Sequence, residues 1–125
     1  MARAKILLVD DEPQNLQLLR QILKDDYDLV FARNAADALR LALEQPPALI
    51  LLDVMMPAVD GYQLCRQLKA DPRSQAIPLI FVSALGDAGD EARGLALGAV
   101  AYLRKPLSPS AVRLCVRSHL PWGES

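Results

Sequence analysis

The stretch that decides the fold is Leu49-Ile50-Leu51-Leu52-Asp53-Val54-Met55-Met56-Pro57. Four apolar residues in succession end at one carboxylate, and the proline that follows prevents regular structure from continuing. A short apolar run with these boundaries, preceded by Pro46-Pro47, is typical of a strand that is buried on both faces of a sheet. Asp53 then lies where the strand leaves the sheet. Because a buried carboxylate is costly without partners, we expect the rest of the chain to supply them.

Apolar runs of the same kind alternate with helical patterns along the chain. We predict strands at 5–9, 28–32, 48–53, 78–82 and 100–103, and helices at about 12–24, 35–45, 61–70, 87–97 and 109–120. Strands that alternate with helices form a parallel sheet with helices on both faces. The predicted fold class is therefore α/β, a doubly wound, flavodoxin-like (βα)5 domain whose five-stranded parallel sheet has the order 2-1-3-4-5. In that order, strands 1 and 3 border the crevice where such folds bind ligands.

Polar residues follow the carboxyl ends of four of these strands. Asp10 and Asp11 follow strand 1, Asp53 ends strand 3, Ser83 follows strand 4 and Lys105 follows strand 5. Since the strands are parallel, all five residues come to one edge of the sheet, although they are far apart in sequence. Apart from Asp53, which has no evident neutralising partner between Leu52 and Val54, each residue alone has an ordinary structural explanation, such as helix capping or a solvated loop. Together they indicate one site.

The residue types at this edge are those that hold a phosphoryl group. Three carboxylates in one crevice repel and raise one another's pKa, and a hard divalent cation removes that penalty. Mg2+ suits a site with a few carboxylates, water and a phosphate ligand. The Lys105 ammonium and the Ser83 hydroxyl can both bond phosphate oxygens. Asp53 is central among these groups, so it is the candidate nucleophile that forms an aspartyl phosphate.

These residues resemble the receiver domain of bacterial two-component response regulators. The motifs that carry the resemblance are Asp10-Asp11, Asp53 followed by Met55-Met56-Pro57 and Asp60-Gly61, Ser83-Ala84, Gly98-Ala99, Tyr102 and Lys105-Pro106. The resemblance covers the chain from about Ala4 to Leu120. Because the motifs occur in order and on the expected elements, they are far more specific together than singly.

The resemblance implies a phosphoacceptor signalling switch of a two-component phosphorelay. A sensor histidine kinase or a histidine phosphotransfer protein would donate a phosphoryl group from phosphohistidine to Asp53. Asp10, Asp11, Asp53 and the backbone carbonyl of Met55 would hold Mg2+.

The resemblance also implies how the signal leaves the site. Ser83 would move to bond the acyl phosphate and Tyr102 would turn inward behind it. Lys105, whose peptide bond to Pro106 is expected to be cis, would pair with the phosphate. The phosphoryl group would bias one of two pre-existing states. The face formed by helix 4, strand 5 and helix 5 would then change shape and signal to an output domain or protein.

Several positions depart from the commonest family pattern. Ala58 replaces a frequent glycine, and Leu107 stands where an aromatic residue is common. Met55 and Leu85 are apolar at positions that flank the route of the attacking water in the family. We expect neither side chain to orient that water, so the phosphoryl group should be long-lived.

Composition narrows the functional class. The 125 residues fit one receiver domain over 1–125, with no output domain in this chain. No apolar run approaches the roughly 20 residues of a membrane helix and the N-terminus carries no signal peptide, so we expect a cytoplasmic protein without membrane contact. The net charge of −1 argues against direct nucleic-acid binding.

Cys65 and Cys115 lack metal-ligand spacing and are expected in the core. We expect a monomer or a weak dimer.

Three other functions are weaker. The alternative is a degenerate receiver that binds proteins without phosphorylation. It is disfavoured because the chain keeps the complete set of site residues Asp10, Asp11, Asp53, Ser83 and Lys105. A hydrolase with an aspartyl-phosphate intermediate needs a general acid two positions after the nucleophile, where Met55 cannot serve. A nucleotide binder needs glycine after strand 1, where this chain has acidic residues. We expect no enzyme activity beyond self-catalysed phosphoryl acceptance and autodephosphorylation.

Overall fold

The computed structural model describes residues 3–56, 60–84 and 88–120 and confirms the predicted fold class. The elements in chain order are β1 (Lys5–Val9), α1 (Pro13–Leu23), β2 (Asp28–Ala32), α2 (Ala35–Glu44), β3 (Leu49–Asp53), α3 (Gly61–Ala70), β4 (Leu79–Ser83), α4 (Ala88–Ala96), β5 (Ala101–Arg104) and α5 (Pro109–His119). All neighbouring strands are parallel, and their order is β2-β1-β3-β4-β5. The bounds agree with the prediction to within about a residue, apart from Asp87, which lies outside the described residues.

The central strand β3 is buried along its whole length, because β1 and β4 flank it and helices cover both faces. Successive side chains of a strand point to opposite faces, so its residues divide between two cores. Leu49 and Leu51 pack on the side of α1 and α5, whereas Ile50 and Leu52 pack on the side of α2 and α3. The apolar run therefore forms the centre of both cores and carries Asp53 to the edge of the sheet.

The start of α3 is fixed by its own sequence. The Asp60 side chain accepts a hydrogen bond from the Gln63 N–H at 2.9 Å, and the Gln63 side chain accepts one from the Asp60 N–H at 3.3 Å. This reciprocal capping satisfies donors that helix geometry leaves open. Gly61, the first residue of the helix, donates its N–H to the carbonyl oxygen of Val54 at 2.9 Å. The helix therefore begins directly against the chain that leaves β3.

Gly61 has no room for a side chain. A Cβ added there would overlap the carbonyl oxygen of Asp53 and lie 2.8 Å from the Cα of Val54. Both are backbone atoms, which cannot rotate away as a flexible side chain can. The close approach of α3 to the end of β3 therefore requires glycine.

The two cysteines differ in their surroundings. Cys65 is fully buried in the core beneath α3, as expected. Cys115 is only half-buried, because Val112 and Val116 occupy the inward positions of α5 and leave it at the margin of that core. Both are free thiols. Within the described residues, every helix is too short or too polar to cross a membrane.

The close approach at Gly61 gives a first prediction. We expect Gly61→Ala to lower the free energy of unfolding by about 1 to 3 kcal/mol, because the backbone of Asp53 and Val54 has to shift. Urea unfolding at neutral pH measures the change. Gly89→Ala is the control, since Gly89 is an exposed helical position where alanine favours the helix. Equal stability of Gly61→Ala and the wild type would show that the fold tolerates a wider gap at α3.

Candidate functional site

Three acidic residues meet at the carboxyl ends of β1 and β3. These strands are neighbours, and Val9 pairs with Leu52 in their register. Asp10 and Asp53 are 1% and 3% exposed, and Asp11 is half-buried. One carboxylate oxygen from each of the three residues lies within 4.8 Å of the other two. The structure thus brings together the three acids that the sequence places at one edge.

Lys105 reaches the acidic group from the end of β5. Its Nζ lies 3.3 Å from Oδ1 of Asp53, to which it donates a hydrogen bond, and 3.8 Å from Oδ2 of Asp10. Its backbone N–H donates to the carbonyl oxygen of Ser83 at 2.8 Å. The peptide bond to Pro106 is cis, as the resemblance implies. The ammonium is therefore held between two buried carboxylates at the mouth of the crevice.

The protein stabilises the charge of Asp53 incompletely. Burial raises the pKa of Asp53 to about 6, and the neighbouring Asp10 carboxylate adds to the rise. Lys105 and the N–H of Met55 lower it, because they stabilise the ionised form, but they do not offset burial. Burial also raises the pKa of Asp10. The Glu12 N–H opposes this rise, because it donates a hydrogen bond to the Asp10 carboxylate at 3.0 Å.

The unbalanced charge of the three acids fits a divalent cation. When they are ionised, three carboxylates and one ammonium leave a formal charge of −2, which Mg2+ would cancel. Among residues 3–56, 60–84 and 88–120, Oδ1 of Asp11 is a buried oxygen without a hydrogen-bond partner. An unpartnered carboxylate oxygen is a ligand that Mg2+ prefers. Asp10, Asp11 and Asp53 are therefore the candidate carboxylate ligands.

Met55 lies at the open side of the site. Its side chain is 58% exposed, and its backbone N–H bonds the carboxylate of Asp53. The role of its carbonyl oxygen as a metal ligand stays a prediction.

The two residues predicted to respond to a phosphoryl group lie on β4 and β5. Ser83 is fully buried and follows Val82, which pairs with Asp53 in the register of the sheet. Tyr102 pairs with Phe81 one strand further out and is half-buried. Ser83 is thus close to the acidic group, whereas Tyr102 is set back from it along β5.

Three groups that contact the predicted site residues are not identified by the sequence analysis. The Glu12 N–H and the Asn15 side chain both bond Asp10, and the hydroxyl of Tyr62 lies 3.3 Å from that of Tyr102. The spacing of Asp10 and Glu12 is that of an Asx turn, which is a signal for the first contact. Tyr62 lies three residues before the buried Cys65, so helical spacing could have placed it on the inward face of α3.

The raised pKa of Asp53 makes stability depend on pH. Its folded value of about 6 lies above the ordinary 3.8, so Asp53 contributes stability that is complete below pH 4 and is lost as the pH rises to 6. We expect Asp53→Asn to raise the free energy of unfolding at pH 7 by about 1 to 3 kcal/mol in metal-free buffer, and to change it little near pH 4. Urea unfolding across that pH range measures the difference.

Asp71→Asn is the control for this pH series. Hydrogen bonds from Arg73 lower the pKa of Asp71, so the sign is opposite and the substitution should lose stability at neutral pH. A pH-independent effect of Asp53→Asn would contradict the raised pKa.

Known proteins match this chain over nearly its whole length. The family model of the response regulator receiver domain matches residues 6–117. The chain is 39% identical over 117 residues to "Response regulator Rre1" of Synechocystis, covering 92% of this chain and 51% of that protein. It is 40% identical over 116 residues to "Response regulator PleD" of Caulobacter vibrioides, covering 92% and 26%. The chain therefore spans about half or a quarter of the length of these relatives.

A solved structure shares the fold. The receiver domain of a sensor histidine kinase from Pseudomonas aeruginosa has a TM-score of 0.85 and 29% identity, with 94% of this chain and 97% of that chain covered. In that structure a magnesium ion is coordinated in the active-site cleft. Receiver domains bind Mg2+ at this acidic site. The parallel sheet, the acidic crevice and the match over residues 6–117 agree that the chain belongs to the response regulator receiver domains of two-component signalling.

Proposed function

We propose that Asp53 is the phosphoacceptor of this domain. The observation that carries the proposal is the position of its buried carboxylate, between Asp10 and the Lys105 ammonium at 3.3 Å. With a pKa of about 6, Asp53 is mostly ionised near pH 7 and can attack phosphorus. Incomplete stabilisation of its charge favours reaction over a permanent ion pair.

In the proposed phosphoryl transfer, one bond to phosphorus forms as another breaks. An oxygen of Asp53 forms the new bond to phosphorus while the bond between phosphorus and the imidazole nitrogen of the donor breaks. The imidazole keeps the electron pair and takes up a proton. Lys105 and Ser83 bond the phosphoryl oxygens as negative charge moves onto them. When bound, Mg2+ neutralises carboxylate and phosphoryl charge, held by Asp10, Asp11, Asp53 and the carbonyl of Met55.

The partners follow from the chemistry of the transfer and from the family. Receiver domains pair with histidine kinases and with output domains. For this chain we propose a sensor histidine kinase or histidine phosphotransfer protein as the donor of the phosphoryl group, and an output domain or protein as the target of the signal. The domain then acts as a switch and not as a turnover enzyme, catalysing only its own phosphorylation and dephosphorylation. The expected cytoplasmic location and monomeric or weakly dimeric state belong to the same proposal.

The central prediction is covalent modification of one residue. Incubation with Mg2+ and acetyl phosphate should add one phosphate-sized, hydroxylamine-labile mass to the wild type, because Asp53 accepts the phosphoryl group as an acyl phosphate. Intact-mass spectrometry measures the gain. The same reaction without Mg2+, in chelator, should give little product.

Asp53→Asn is the matched control, since the amide keeps the shape and loses the nucleophile. A gain in both proteins would place the acceptor elsewhere. If the wild type shows no gain and beryllium fluoride does not bind, the domain is a phosphorylation-independent binding module, with its acidic crevice retained for structure alone.

We also propose that the phosphoryl group is long-lived. The apolar Met55 side chain is exposed at the open side of the site, where it cannot orient an attacking water. Leu85, the second apolar position in this argument, lies outside the described residues. Met55→Asn should speed loss of the phosphoryl group by at least about tenfold, since its amide can hold that water.

The decay of the phosphorylated mass with time measures this lifetime. Met55→Leu is the control, because it keeps the position apolar and should leave the lifetime unchanged. Rapid loss from the wild type that Met55→Asn does not accelerate would contradict the hypothesis.

A further inference from the structure

The hydroxyl of Tyr62 joins three elements of the fold. It donates a hydrogen bond to the carbonyl oxygen of Asp90 in α4 at 3.1 Å, and it lies 3.3 Å from the hydroxyl of Tyr102 in β5. Tyr62 itself belongs to α3 and is 2% exposed. One buried side chain thus contacts the helix and the strand that carry the predicted output face.

The direction of these hydrogen bonds follows from the number of protons that each hydroxyl can donate. A tyrosine hydroxyl has one proton to donate. Tyr62 uses its proton on Asp90, so between the two hydroxyls Tyr102 is the donor and Tyr62 the acceptor. Burial raises the pKa of Tyr62, so its hydroxyl keeps the proton. We call this pair of hydrogen bonds, from the Tyr102 hydroxyl to that of Tyr62 and from Tyr62 to the Asp90 carbonyl, the hydroxyl chain.

Ring contacts fix the position of both tyrosines. The Tyr62 ring meets Phe81 edge-on at 5.1 Å between centroids, and the Arg93 guanidinium lies 4.3 Å above the Tyr62 centroid. The Phe81 and Tyr102 centroids are 6.0 Å apart. A Cβ on Gly94 would come within 2.9 Å of Phe81 and 3.1 Å of Tyr102, so α4 lies directly on these rings. Tyr102 is therefore packed inward, and it must break its bond to Tyr62 before its ring can turn outward.

Tyr62 is also adjacent to the backbone of the acceptor. Gly61, its chain neighbour, lies against the carbonyl oxygen of Asp53 without room for a methyl group and donates its N–H to Val54. A shift of the chain after Asp53 therefore displaces the first turn of α3, to which the Tyr62 ring is attached. The contact runs from the acceptor backbone to Tyr102 without passing through Ser83 or Lys105.

We propose that Tyr62 is a positioning residue of the switch, whose hydroxyl holds Tyr102 in its inward position. The inference rests on the proposed function, together with the expectation from the family resemblance that Tyr102 lies inward when Asp53 carries a phosphoryl group. Because the hydroxyl chain favours the inward ring, its loss lowers the population of the state that binds a phosphoryl analogue. Tyr62 touches no reacting atom, so its effect is on this equilibrium.

The test uses Tyr62→Phe, which keeps the ring contacts and removes only the hydroxyl. In the presence of Mg2+, its affinity for beryllium fluoride should be about two- to tenfold weaker than that of the wild type, the range expected for a hydrogen bond between neutral groups. The chain has three tyrosines, so 3-fluorotyrosine labelling gives three 19F resonances. The resonance that Tyr102→Phe removes belongs to Tyr102, and it should shift in Tyr62→Phe before any ligand is added.

Tyr27→Phe is the matched control. Tyr27 is also a buried tyrosine, but it precedes β2 at the opposite end of the sheet, so its loss should change neither the affinity nor the Tyr102 resonance. An unchanged Tyr27 resonance in Tyr62→Phe shows that the variant is folded. An unchanged or tighter affinity for beryllium fluoride in Tyr62→Phe overturns the proposal, as does a Tyr102 resonance that stays in place.

The two readouts separate this proposal from the proposed function. If the wild type does not bind beryllium fluoride, the proposed function fails, while the Tyr102 resonance without ligand still reports whether Tyr62 positions that ring. In Tyr62→Phe combined with Tyr102→Phe, the change in affinity should be no larger than that of the more damaging single variant, because both remove the same hydrogen bond. Additive losses would contradict a shared hydroxyl chain.

Discussion

The main physical constraint on this structure is the burial of like charges at one edge of the sheet. Asp10 and Asp53 are almost inaccessible to solvent, their carboxylates are neighbours, and one ammonium, that of Lys105, contacts both. The desolvation of Asp53 exceeds the stabilisation that Lys105 and the Met55 N–H provide, which is why its pKa is raised to about 6. A site in this condition gains stability from any group that adds positive charge or that removes negative charge from the carboxylate.

The rest of the fold fixes the position of these charges. A slip of β3 by one residue would exchange the side chains that face its two cores and would move Asp53 away from the end of β1, so the register with β1 and β4 is strongly determined. The close approach of Gly61 holds α3 against the same end of β3. The site is therefore rigid on the side of the sheet, and a change in charge at Asp53 acts on the elements around it.

The fold and the acidic site could both be predicted from sequence, for a common reason. Strand ends are marked by apolar runs, and the parallel order of strands sends every polar residue that follows a run to one edge. Asp10, Asp53 and Lys105 are separated widely in the chain, and topology alone brings them together. The degree of burial could not be predicted this way. Cys115 was expected in the core and is half-buried, because the inward face of α5 is already filled by Val112 and Val116.

The hydroxyl chain could not be predicted because it depends on side-chain positions in three elements. From the sequence alone, Tyr62 on α3 is indistinguishable from another core residue, and the close approach of α4 to the Tyr102 ring depends on the glycine at position 94. That glycine lowers helix propensity, and in sequence it indicates only a weak helix. In the structure the same residue leaves space for the rings of Phe81 and Tyr102 beneath α4. A residue that is unfavourable for the helix is therefore required by the packing of α4 against Phe81 of β4 and Tyr102 of β5.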